Sequence, residues 1–416
     1  MITRRAVLAG ALAAPGLVRA AGVARVVVVG GGFAGATAAR ALAGQGHAVT
    51  LVEAAKTYVS CPFSNPVVAG LRDMDGQVFG WDAVARAGVQ MVRATATVVD
   101  AGARRVAVEG RSFDYDRLVL APGIDLRLDP DVGGLPGYGA GQMERMPHAW
   151  KAGAQTVLLR DQLRAMPDGG TVVMAVPGNP YRCPPGPYER ASLIAYYLRT
   201  NKPRSKLIVL DAKDQFSKQA LFRQAWAALY PGILEWVSQS DGGAVVRVDA
   251  GAMTLETDFG SHRADVANVI PPQRAGAIAV AAGVADRTGW CPVNPVTFES
   301  RLVPGIHVIG DAAIMGAMPK SAFAANAQAK VCAAAVGALL AGSAVAEPRL
   351  INTCYSMVQP GYAISVAGVY RPVNGVLADI EGAGGTSALS AGAEVRAQEA
   401  VYADAWYRTI TGSVFG

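Results

Sequence analysis

The chain has 416 residues, 51% of them apolar and 17% charged, with a formal net charge of +6. That composition excludes wholesale disorder, and the length predicts two or three domains. No Lys/Arg run suggests nucleic acid, and discounting Arg4, Arg5 and Arg19, which lie in a leader-like segment, takes the formal charge from +6 to +3.

Residues 1–20 read as a signal peptide. Thr3-Arg4-Arg5 precedes a short apolar run from Ala6 to Ala14, and Val18-Arg19-Ala20 offers small residues for cleavage. The run is too short to cross a bilayer, and no later uninterrupted apolar run is long enough, so no integral membrane segment is expected. The paired arginines suggest the twin-arginine route, with an ordinary secretory signal as the alternative. Export predicts a periplasmic mature chain, in a compartment where disulfides persist. The five cysteines are Cys61, Cys183, Cys291, Cys332 and Cys354, and an odd number leaves at least one outside any pair.

Residues 25–53 carry a strand, a glycine turn, an Ala-rich helix and a second strand ending in Glu53. Gly30, Gly32 and Gly35 let backbone approach a pyrophosphate at a helix N-terminus, and Glu53 is spaced to accept from ribose hydroxyls. Segments at 97–100 and 105–108, followed by a strand at 117–121, read as a meander that Pro122-Gly123 ends. Residues 124–150 are rich in Gly, Pro and Asp and read as a linker.

A second strand–turn–helix–strand pattern follows. Its strands are Thr171–Val176 and Lys206–Leu210, the latter ending in Asp211, with helices near 155–166, 188–200 and 218–229. Here Pro177, Pro180, Pro184 and Pro185 fill the turn and only Gly178 remains. Prolines have no N–H with which to cradle a pyrophosphate, so an NAD(P) site is not expected.

Further on, Gly310-Asp311 ends a strand where an aspartate can bond a ribityl hydroxyl, and Met318-Pro-Lys320-Ser321 opens a long Ala-rich helix. Together with Leu120-Ala-Pro-Gly123, these segments favour FAD over NAD. Lys320 is a candidate for stabilising negative charge on the flavin, or is a solvated surface charge. The tail from Arg349 is aromatic and glycine-rich, a small third domain or an interface.

The resulting fold class is α/β. It has two Rossmann-like dinucleotide-binding-type domains and a small C-terminal α+β interface domain. The FAD domain is discontinuous, 24–150 with 270–345; the second domain spans 151–269 and the tail 346–416.

Gly310-Asp311 and the Pro319-Lys320-Ser321 helix start resemble the pyridine nucleotide–disulfide oxidoreductase superfamily. Cys61-Pro-Phe, Tyr181-Arg-Cys183-Pro-Pro and Asn352-Thr-Cys354-Tyr-Ser resemble a narrower family, the flavoprotein subunit of flavocytochrome c sulfide dehydrogenase and its sulfur-oxidation paralogues. The resemblance covers nearly all of the mature chain. It implies a covalent bond from Cys61 to FAD and a redox disulfide between Cys183 and Cys354 beside the flavin. It also implies oxidation of sulfide to sulfane sulfur, with electrons passed to a c-type cytochrome. Glu189 is a candidate proton shuttle, or a charge favoured at a helix start. Cys291 and Cys332 read as buried and inert. The four histidines lack ligand or triad spacing, so no metal is expected, and without Cys-x-x-Cys-His any haem sits on a partner. Two alternatives stay open: an accessory protein of a sulfur-oxidation system, and a sulfide:quinone oxidoreductase.

Overall fold

Four successive valines, Val26–Val29, offer no polar face, and such a run is stable as a strand only when covered on both sides. They form β1 (Arg25–Val29), the middle of a five-stranded parallel sheet in a computed structural model that describes residues 23–416. The expected leader at 1–20 lies outside the described residues. From β1 the chain passes through α1 (Phe33–Gly44) to β2 (Ala48–Val52), and later to β3 (Gln90–Val92) and β4 (Arg117–Leu120).

The meander differs from expectation. Its third strand is Arg111–Asp114, while β4 leaves it and pairs with β1. The reason is burial: Leu118, Val119 and Leu120 are each fully buried, whereas Arg111, Ser112 and Asp114 are exposed and Phe113 is half-buried. The segment at 124–150 is also more than a linker. Ile124–Leu126 pairs antiparallel with Gln273–Ala275, so the two crossings between domains form one small ladder. Tyr138 and Met146 are buried, and the Tyr138 hydroxyl donates to the Met146 carbonyl at 2.8 Å.

The second domain has a four-stranded parallel sheet. It comprises β5 (Thr171–Val176), β6 (Lys206–Asp211), β7 (Leu234–Val237) and β8 (Val266–Val269) in the order β7-β6-β5-β8. Helix α2 (Gly186–Asn201) connects β5 to β6, and α3 (Gln219–Leu229) follows β6. The chain then returns to the first sheet through β9 (Ile306–Val308), which pairs with β4.

Helix α4 (Ala322–Leu340) packs on α1, and the alanines on both helices allow close approach. By length and composition α4 is apolar enough to cross a membrane. Counting uninterrupted apolar runs misses it because Asn326, Gln328 and Lys330 break the run. Half of it is buried against the protein, as in a core helix.

The tail folds as β10 (Leu350–Gln359), β11 (Tyr362–Val373) and β12 (Val376–Asp379), closed by α5 (Ala393–Phe415). It is wedged between the other two parts. Phe415 stacks on Tyr58 with ring centroids 4.8 Å apart, and Arg40 donates to the Ser413 carbonyl at 2.8 Å. On the other side Val358 and Ile364 enter the core of the second domain, where the Tyr230 hydroxyl donates to the Val358 carbonyl at 2.7 Å.

Candidate functional site

The glycine turn after β1 needs its glycines for three separate reasons. A Cβ on Gly30, whose φ is +95°, would lie 2.3 Å from the Ala121 carbonyl oxygen. One on Gly31 would meet the Trp81 ring at 2.5 Å, and one on Gly35 would fall 1.8 Å from the Gly30 oxygen. The first two keep the turn tight, and Gly35 seats α1 against the strand. Glu53 is fixed at the end of β2, accepting from the amides of Gly31 at 2.7 Å and Ala55 at 2.8 Å.

This turn is one wall of a cleft with about 1680 Å³ of empty space, its open mouth included. All three parts of the chain line it. Gly30, Gly32, Glu53, Cys61, Gly310 and Asp311 come from the first domain, Cys183 and Glu189 from the second, and Cys354 from the tail. Gly35 lies behind the wall. Lys320 does not reach the cleft. Its Nζ donates to the carbonyls of Asp311 at 2.8 Å and Ala313 at 2.7 Å, and lies 4.0 Å from the Trp290 ring centroid. It is neither free to face a ligand in the cleft nor solvated, and burial pushes it down to about 8. The start of α4 does reach the cleft, through Ser321, Ala322 and Phe323.

Cys61 precedes the short helix Ser64–Val68, and its carbonyl accepts from the Ser64 amide at 3.0 Å. Tyr58 and Arg182 stand close enough to it for their charges to couple.

Cys183 adopts a left-handed conformation (φ 58°), where a β-carbon is strained. Two backbone bonds impose this: its amide donates to the Lys320 carbonyl at 2.8 Å, and its carbonyl accepts from Gly186 at 2.8 Å. Burial holds the Cys183 thiol well above its ordinary value, with the nearby Cys354 and Glu189 adding to that shift. Cys354 projects from β10, and the Asn352 amide donates to its sulfur at 3.4 Å. All five cysteines are free thiols in this structure. Cys291 and Cys332 are fully buried away from the cleft, and burial raises both.

Glu189 sits in the first turn of α2 but faces inward. Its carboxylate oxygens accept from the Met357 amide at 2.8 Å and the Asn65 side chain at 2.7 Å. Burial raises its pKa despite those two donors and the nearby Lys218 and Arg190. Arg182, which sequence reasoning passed over although it stands inside the Cys183 motif, lines the same cleft. Burial opposes its charge, but Cys61, Asp311, Tyr58 and Cys183 together hold its pKa above the ordinary value.

The wall keeps unpartnered polar atoms. Asp311 Oδ1, Trp150 Nε1 and Trp406 Nε1 are buried without a hydrogen-bond partner, and all three residues line the cleft. Burial also raises the Asp311 carboxyl, against the pull of Arg182 and Lys320. Orphaned groups of this kind, beside a turn with no room for a side chain at Gly30 or Gly31, fit a bound flavin dinucleotide. No group of three or more potential metal ligands occurs among the described residues.

The acidic strand end of the second domain is engaged differently. Asp211, at the end of β6, accepts from the Tyr188 hydroxyl at 2.7 Å, Trp236 Nε1 at 3.0 Å and Lys213 Nζ at 2.6 Å. Phe216 stacks on Tyr188 with centroids 3.6 Å apart. A carboxylate that would meet a ribose in a nucleotide site is here consumed by the protein's own side chains.

Fold and cleft together define a flavin-dependent oxidoreductase with two Rossmann-type domains. Family models agree along the chain. Residues 24–158 match pyridine nucleotide-disulphide oxidoreductase, and residues 156–271 match the central part of the sulfide dehydrogenase [flavocytochrome c] flavoprotein chain. Residues 346–415 match the flavocytochrome c sulphide dehydrogenase flavin-binding model. The flavoprotein chain of sulfide dehydrogenase [flavocytochrome c] from Chlorobaculum thiosulfatiphilum is 54% identical over 48 residues, which are 100% of that sequence and 11% of this chain. The chain belongs to the flavoprotein-chain family of flavocytochrome c sulfide dehydrogenase. Its fold is shared with the sulfide:quinone oxidoreductase of Aquifex aeolicus (TM-score 0.73, 16% identity, 94% of this chain and 92% of that one). It is shared too with putidaredoxin reductase in its covalent putidaredoxin complex (TM-score 0.64, 18% identity, 94% and 93%).

Proposed function

We propose that this chain binds FAD in the cleft, tethered through Cys61, oxidises sulfide through Cys183 and Cys354, and passes the electrons to a c-type cytochrome in the periplasm. One observation carries the reading: Cys61, Cys183 and Cys354, distant in sequence, line a single cleft together with Glu189 and the dinucleotide turn. The flavin, when bound, supplies an acceptor that takes an electron pair and releases it one electron at a time.

The residues divide the work as follows. Gly30–Gly32 and the N-terminus of α1 receive the pyrophosphate, Glu53 the adenosine ribose, and Asp311 the flavin side chain. With Cys183 and Cys354 oxidised to a disulfide, hydrosulfide attacks one sulfur. A new S–S bond forms as the old one breaks, leaving a persulfide on one cysteine and the displaced electron pair on the other as thiolate. Glu189 takes the remaining proton; the two donors on its oxygens favour the carboxylate that must receive it. Arg182 offsets negative charge beside Cys61 and Asp311. The occupied Asp211 site supports the view that NAD(P)H is not the donor.

The test is an anaerobic assay of purified holoprotein with sulfide or NADH as donor and cytochrome c or a short-chain quinone as acceptor. Sulfide-dependent reduction of cytochrome c is expected. Faster reduction of quinone would move the chain to the quinone-linked reading, and no turnover with any acceptor would favour an accessory role.

A further inference from the structure

Lys218 lies outside every motif described above, yet it is buried against the strand that carries Cys354. It stands just before α3 with φ 63° and is 7% exposed. Its Nζ donates to the Cys354 carbonyl at 3.1 Å, the Ser356 hydroxyl at 2.8 Å and the Ile364 carbonyl at 3.4 Å. Cys354 and Ser356 are two apart on β10, so their side chains share one face, and Ser356 is paired in register with Ile364 of β11. The ammonium thus grips the strand at the cysteine. Glu189 grips it one residue further on, through the Met357 amide.

Every hydrogen-bond partner of this ammonium is a neutral oxygen, the Phe222 ring lies 5.8 Å from it, and no carboxylate lies within ion-pair distance of it among the described residues. A cation buried in this way is destabilising unless negative charge nearby compensates it. Burial lowers Lys218 to about 8, and the acidic groups opposing that shift are Cys354, Glu189, Cys183 and Glu399, in that order. The positive groups facing the same cluster are Arg190, beside Glu189, and Arg182, beside Cys183. The first three acidic groups are the ones whose charge changes when the cysteine pair is reduced.

We propose that Lys218 is a positioning residue of the cysteine pair, holding residues 354–356 of β10 in place and stabilising negative charge on the Cys354 sulfur. The inference rests on the reading of Cys183 and Cys354 as a redox pair, but it is tested apart from sulfide turnover.

The experiment follows alkylation of Cys354 by iodoacetamide across pH in anaerobically reduced holoprotein, quantified by peptide mass spectrometry. Lys218→Gln removes the charge and keeps a polar chain; Lys218→Arg keeps the charge. In Lys218→Gln, Cys354 alkylation near neutral pH should slow about tenfold, with Lys218→Arg close to wild type. Cys291, remote from the site, reports on global opening. Superimposable Cys354 profiles in wild type and Lys218→Gln, with equal Cys291 protection, would overturn the proposal. Lys218→Met provides the same comparison if Lys218→Gln does not accumulate. Sulfide-dependent flavin bleaching is the separate arm: a shifted alkylation profile in a protein that sulfide never bleaches sinks the sulfide reading and leaves the role of Lys218 standing.

Discussion

The Cys183 amide donates to the Lys320 carbonyl at 2.8 Å. This bond fastens the cysteine loop of the second domain to a residue two places before α4 of the first. It helps hold Cys183 in its left-handed backbone, while the lysine side chain is held separately by the carbonyls of Asp311 and Ala313. Domain placement and cysteine placement are therefore one problem, solved at the same contact.

Cys61 is expected to hold the flavin. Cys61→Ser should leave the protein pellet colourless after acid precipitation, with all flavin in the supernatant, while the wild-type pellet stays yellow. A colourless wild-type pellet would show that the tether is absent.

Gly35→Ala should be among the most damaging single-methyl changes in the chain. Its Cβ would fall 1.8 Å from the Gly30 oxygen, a backbone atom that cannot swing aside. A cost of about 2–3 kcal/mol is expected, read as a lowered urea midpoint, together with weakened flavin retention. Gly44→Ala, with open space around the added carbon, is the control and should be close to neutral.

The dinucleotide turn, Glu53 and Gly310-Asp311 are legible in sequence because their chemistry is local: each is set by residues a few places away on a strand end. Lys320 was readable as a charge near the flavin, but not as one turned onto the carbonyls of Asp311 and Ala313 beneath Trp290. Lys218 could not be read at all, since its partner Cys354 lies 136 residues away and only the tertiary fold brings the two together. The strand near 117–121 is legible too, but its place beside β1 rather than in the meander is not. The apolar run at 118–121 is the signal for that place.

Glu189→Gln should separate proton transfer from binding. The amide is close in shape to the carboxyl but cannot accept a proton, so turnover with sulfide should fall by about 10²–10⁴. Because burial raises the Glu189 pKa, the wild-type acid limb should lie above the ordinary carboxyl range, and the variant should lose that limb. A variant within about twofold of wild type at all pH values would leave Glu189 a structural bridge between Asn65 and β10.

The two buried histidines should lower stability in mild acid, opposed by the raised carboxyls of Glu189 and Asp311. Burial first of all depresses both His148 and His307, each to about 4 from an ordinary 6.5. The His148 Nδ1 accepts from the Trp150 amide at 2.8 Å, and protonation would break that bond. The folded protein thus binds these protons less tightly than the unfolded chain. The associated stability is complete above pH 6.5 and is lost as pH falls toward 4. The two sites together should cost a few kcal/mol across that window, seen as a steadily falling urea midpoint. A midpoint that stays constant down to about pH 5 would contradict this.

The central claim is that Cys183 and Cys354 work as one redox pair in the flavin cleft. Peptide mass spectrometry of the oxidised holoprotein, digested without reductant, tests it most directly. A Cys183–Cys354 cross-linked peptide is expected, disappearing on anaerobic addition of one equivalent of sulfide as a persulfide appears on one of the two cysteines. Recovery of both cysteines as unlinked thiols from air-oxidised protein, or a cross-link indifferent to sulfide, would contradict it.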